Sequence, residues 1–200
     1  QQESSDMSNK KSSQIIGGGV PGEWAMHYER SMSSESTRAK VVLSACYLEE
    51  LLGQLLLVVL AKNTDREDPL FDGPTAPLGN FSAKIEFAYR LAVISKENRT
   101  SLHLIRRIRN RFAHSITDCT FSDRKIKSWN EQLHSLNDIA SPETRSHFPE
   151  GPVGDFEKSV SWLVYWLKHT MMKIPTECPH CGSEMEHRQK LREALPGDKH

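Results

Sequence analysis

The stretch "RIRNRFAHS", Arg107 to Ser115, holds three arginines, an asparagine and a histidine. On a helix, Arg107 and Arg111 are neighbours, and so are Asn110 and His114. Two guanidinium groups side by side repel by about 0.2–0.5 kcal/mol unless a carboxylate or a phosphate lies opposite. Arg109 lies about 140° round the helix from His114, yet its long side chain can still reach a ligand that His114 touches. Arg109, Asn110 and His114 suit metal-independent RNA cleavage. The imidazole moves protons on a 2′-hydroxyl or a leaving oxygen near neutral pH. The guanidinium holds the phosphate bidentately and stabilises the charge of the transition state. A structural role is equally physical. Cations in the last turn complement the helix dipole, and Arg109 can pair with Glu49, Glu50 or Glu86 on another helix.

A second segment, "PLGNFSAKI", has a turn at Gly79 and a helix cap at Asn80 or Ser82. Lys84 falls in the first turn, where the dipole opposes a cation that lacks a partner. With Arg107 and Arg111 it is a candidate phosphate-binding residue. The third segment is "ECPHCGSEMEH". Cys178 and Cys181 have the spacing of one zinc knuckle, with Gly182 permitting the tight turn. A tetrahedral zinc site needs further ligands. His187 is the candidate, with His180, His200 or a second chain as alternatives, and a redox or idle segment as the readings without zinc. Cys46 is expected as a buried free thiol on an apolar helix. No role is assigned to Cys119.

These residues need a scaffold, and the apolar spacing supplies one. Val41, Ala45, Leu48, Leu52, Leu55 and Val59 recur at helical intervals after a run of serines suited to capping. A connection carrying three prolines, "TDREDPLFDGPTAPLGN", leads to a second helix, "FSAKIEFAYRLAVI". A third places Leu102, Ile105, Ile108 or Arg109, and Phe112 on one side. A fourth starts at a Ser122 cap and buries Ile126, Trp129, Leu133 and Leu136. A fifth aligns Phe156, Val160, Leu163, Leu167 and Met171. No run alternates with period two. The expected fold is an all-α bundle of about five helices over residues 22–174. Residues 1–21 read as a disordered tail, and residues 175–200 as a short cysteine-containing segment.

The chain of 200 residues has equal numbers of acidic and basic side chains and a pI near 7.3. Binding to nucleic acid or membrane over the whole surface is therefore not indicated, and such a partner needs a local patch. The longest apolar run, Leu55 to Ala61, falls short of the roughly 18 residues that suggest a membrane span. Residues 1–14 lack the apolar centre of a signal peptide, so a reducing cytoplasm is expected.

Two resemblances sharpen the reading. Arg109-Asn110-x-x-x-His114 resembles the R-N-x-x-x-H motif of HEPN domains, small helical bundles that include many endoribonucleases of toxin and phage-defence systems. The longer "PLFDGPTAPLGNFSAKIEFAYRLAVIS", followed by a helix ending in "RNRFAHS" and then "FSDRKI", is similar to the core of the mannitol operon repressor family. That likeness runs over roughly residues 34–130, with "APLGNFSAKI" its most specific part, and ends before the cysteine segment. It implies an all-helical, repressor-type regulator that lacks a helix-turn-helix and acts through protein partners or homo-oligomeric assembly. The HEPN resemblance implies the alternative, an endoribonuclease using Arg109, Asn110 and His114 on RNA.

Overall fold

In a computed structural model, residues 30–63, 66–115, 119–133, 146, 148–175 and 190 are described. Helices run α1 Thr37–Val59, α2 Phe81–Arg90, α3 Lys96–His114, α4 Arg124–Asn130 and α5 Pro152–Lys173. No strand occurs among the described residues. The all-α expectation is met. The expected tail over 1–21 and the segment holding Cys178, Cys181 and His187 lie outside the described residues.

Capping explains where three of the helices begin. Side chains of Ser36, Asn80 and Ser95 accept hydrogen bonds from the backbone N–H of Ala39, Ala83 and Asn98, at 3.2, 3.0 and 3.2 Å. Each satisfies a donor that the first turn would otherwise leave without an acceptor. The fourth helix departs from expectation. It starts after Asp123, not at Ser122, and Asp123 makes no side-chain cap bond. Its carboxylate turns instead toward Arg111 on α3.

α1 is the axis of the bundle. It packs against α2, α3 and α5, with Leu48, Leu52, Leu55 and Leu56 fully buried. By length and composition it would suffice to cross a membrane, a feature the count of consecutive apolar residues missed, because isolated polar residues interrupt the run. Half of that apolar window is buried against the other helices. Leu102, Ile105, Ile108 and Phe112 bring α3 onto the same core, and Phe156, Val160, Leu163 and Leu167 bring α5. Cys46, expected inside, is exposed. Ala45 faces the core, and the 100° advance per residue carries the next side chain onto the outer face near Leu43, itself 43% exposed.

Two backbone positions fix the connections. Gly154, in the first turn of α5, lies so close to the preceding loop that a Cβ would sit 1.6 Å from the Pro149 carbonyl oxygen. Only glycine permits that approach. α2 ends in a Schellman motif: the N–H of Val93 donates to the Ala88 carbonyl and that of Ala92 to the Tyr89 carbonyl. The left-handed residue is Ala92, with φ of 57°, where glycine is usual. Relief of that Cβ strain makes Ala92→Gly stabilising by about 1 kcal/mol. Thermal melts of the two proteins check this, and an unchanged or lower midpoint would contradict it.

Candidate functional site

The outward face of α3 carries the chemistry. Lys96, Arg99, His103, Arg107, Asn110 and His114 follow one another at steps of three and four, which aligns them on one stripe along the helix. The opposite side of the same helix holds Leu102, Ile105, Ile108 and Phe112 in the core. Burial of one face therefore obliges the other to face solvent.

In the N-terminal half of this stripe, Arg99 and His103 are closed off by one carboxylate, while Lys96 stays exposed. Glu86 on α2 accepts both Nε and Nη2 of Arg99 at 2.8–3.1 Å, and its Oε1 lies 2.7 Å from His103 Nε2. Arg99 also sits over the Tyr89 ring, 4.9 Å from its centroid, a cation–π arrangement. The hydrogen bonds from Arg99, and then those from His103, hold the Glu86 carboxyl below the ordinary glutamate range. A carboxyl with a depressed folded pKa contributes fully above its unfolded value, near ~4.3, and loses that contribution as the pH falls through the folded pKa. Glu86→Gln is therefore expected to melt below the wild type at neutral pH. The two melting curves converge in acid, below about pH 4. A gap that persists there would refute the linkage.

The C-terminal half is open. Arg107 is exposed and Arg106 half-buried, and neither has a carboxylate partner among the described residues. The Nε of Arg106 is buried without an acceptor there. Arg109 Nη1 donates to the Asn110 side-chain oxygen at 3.0 Å. That bond turns the guanidinium toward the Asn110 side of the helix. Arg111 reaches Asp123, the residue before α4, only at 3.8 Å, with both side chains well exposed, so the pair contributes little. His114 is the last residue of α3 and is exposed, next to the C-cap Ser115. α4 adds Arg124, Lys125 and Lys127 as further exposed cations.

The carboxylates considered for Arg109 are engaged elsewhere. Glu49 lies 3.6 Å from Lys84, Glu50 accepts from Gln54 at 3.2 Å, and Glu86 holds Arg99 and His103. The Glu49 pair also fixes the position of Lys84. It faces α1 beside Gly53 with 15% of its side chain exposed, a structural partner for a cation in a first turn. Arg109, Asn110 and the open arginines thus form the candidate site without Lys84. Among the described residues no group of three His, Cys, Asp or Glu could hold a metal ion. Sequence reasoning missed His103, because its partner is on another helix; the regular spacing from Lys96 to His114 was the signal that pointed to it. Arg106 was legible as a basic residue but lies off that spacing, and its sequence context assigned it no role.

Arg109 and Asn110 form a fixed pair, with the remaining guanidinium N–H groups and the Asn110 amide N–H groups still able to donate. Together with Arg106 and Arg107, they can bind an acidic group presented by a protein or by a phosphate chain.

No family model matches the chain. It is 25% identical over 118 residues to the mannitol operon repressor of Escherichia coli strain K12, a match over 57% of this chain. The same figures hold for the mannitol operon repressor of Escherichia coli O6:H1 strain CFT073. The match spans 60% of the length of these curated relatives. In fold, the chain is similar to the X-ray structure of the MtlR–HPr complex from Escherichia coli, with a TM-score of 0.54 and 18% identity, over 72% of this chain and 98% of that one. The chain thus has the helical-bundle fold of that structure and a distant sequence similarity to the mannitol operon repressors.

Proposed function

We propose that this chain is a cytoplasmic regulator of the mannitol operon repressor type, acting through a protein partner docked on the C-terminal half of α3. The observation that carries the reading is the unequal charge along that stripe. Arg99 and His103 are both engaged by Glu86, whereas Arg106, Arg107 and Arg109 have no carboxylate partner among the described residues and Arg111 has only a 3.8 Å surface contact with Asp123. An exposed cluster of guanidinium groups favours a partner with an acidic patch. The fold supports a protein partner because a solved structure it resembles is a complex of MtlR with HPr. An HPr-type protein is accordingly the first partner to test. Assembly of the chain into a homo-oligomer belongs to the same proposal.

A second reading has one specific observation in its favour. The Arg109–Asn110 hydrogen bond, one turn before an exposed His114, is an arrangement in which a guanidinium and an imidazole can meet one phosphodiester. Incubation of labelled single-stranded RNA with the protein in EDTA, beside His114→Ala, separates the two. Intact RNA is expected with both proteins. RNA cut by the wild type and spared by the variant would replace the regulator with a metal-independent endoribonuclease.

A further inference from the structure

A cavity of about 340 Å³ lies where the entry to α1 meets the loop before α5, lined by Met32, Ser33, Lys40, Ser146, Phe148, Pro149 and Glu157. Lys40 and Glu157 form an ion pair in its wall, Nζ to Oε1 3.0 Å, with side chains 17% and 5% exposed. Nothing in the proposed docking function uses this pair. Removing two charges from water is costly, and a well-packed apolar pair in the same place is often at least as stable. Here the charges also border a cavity at the lower end of the range that small-molecule sites occupy.

The wall chemistry selects a ligand. A simple anion attracted to Lys40 meets the Glu157 carboxylate, and a simple cation attracted to Glu157 meets the ammonium. A molecule bearing both charges can satisfy both, its carboxylate on Lys40 and its ammonium on Glu157, exchanging one ion pair for two. Met32 and Phe148 offer an apolar wall, and the Ser33 hydroxyl lies at the exposed rim. We propose that this cavity binds a small zwitterion with an apolar side chain, of the size of a free amino acid, independently of the basic face of α3.

Calorimetric titration of the full chain tests this with L-phenylalanine, L-methionine and L-leucine as probes. 3-Phenylpropionate and phenethylamine supply each charge alone. At least one amino acid is expected to bind saturably, and the singly charged analogues at least ten-fold more weakly. Glu157→Gln is expected to lose that preference. Because this substitution disturbs a buried pair, Ser33→Trp is the second variant. It obstructs the mouth from an exposed position, and it is expected to lose binding while keeping the wild-type melting temperature. The proposal is overturned if none of the amino acids binds, or if neutral or singly charged molecules bind as well as the zwitterions. Unchanged binding by a folded Ser33→Trp would overturn it too.

Discussion

The double variant Arg107→Glu/Arg111→Glu is expected to bind the proposed protein partner about 100-fold more weakly than the wild type. Reversal replaces an attraction with a repulsion at each position, and about 1–1.5 kcal/mol per reversed residue is a moderate value for charges at a contact. Folding is expected to survive. Arg107 is exposed, and Arg111 loses only a 3.8 Å surface contact with Asp123, so the melting temperature moves little. Wild-type affinity is expected to fall as salt rises, because exposed charges are screened within about 10 Å at 0.1 M ionic strength. The variant's residual affinity then has a flatter salt dependence. Equal affinities for variant and wild type would remove α3 from the interface.

The second large effect concerns what holds that face in place. Phe112 is fully buried and sits between Arg111 and His114 in sequence, on the opposite side of the last turns of α3. Its ring is 5.4 Å from Phe121, which lies 5.5 Å from Phe156 of α5. The three rings tie the basic end of α3 to the fifth helix. Phe112→Ala removes the first ring and leaves a cavity, at a cost of about 3–5 kcal/mol. Chemical denaturation is expected to show that loss, with weaker partner binding in the same protein because the arginines lose their support. A loss under about 1 kcal/mol would mean that the site collapses around the gap.

The core was easier to read from sequence than the charge pairing. Spacing of three and four residues identified Val41 to Leu55 on α1, Leu102 to Phe112 on α3 and Phe156 to Met171 on α5, and these residues are buried. The caps at Ser36 and Asn80 were legible too, since both residue types favour that position. The fourth helix was placed one residue early because Ser122 and Asp123 are both capping residue types and their order alone does not choose between them. Cys46 failed for another reason. An apolar helix that is rich in leucine all round gives little angular signal, and only its neighbours decide which side is covered. The arginine stripe was visible as a cluster of residue types, but its division into a closed and an open half depends on Glu86 reaching across from α2. No local pattern shows that. The Lys40–Glu157 pair joins residues more than a hundred positions apart, so only the packed bundle reveals it.

The most direct test is a calorimetric titration of the purified chain with HPr from the same organism, repeated with Arg107→Glu/Arg111→Glu. Saturable binding by the wild type, with about 100-fold lower affinity for the variant, is the result expected of a partner-docking regulator. Wild-type protein that is folded yet binds no HPr, or a variant that binds it undiminished, would contradict the assignment of this partner to this face.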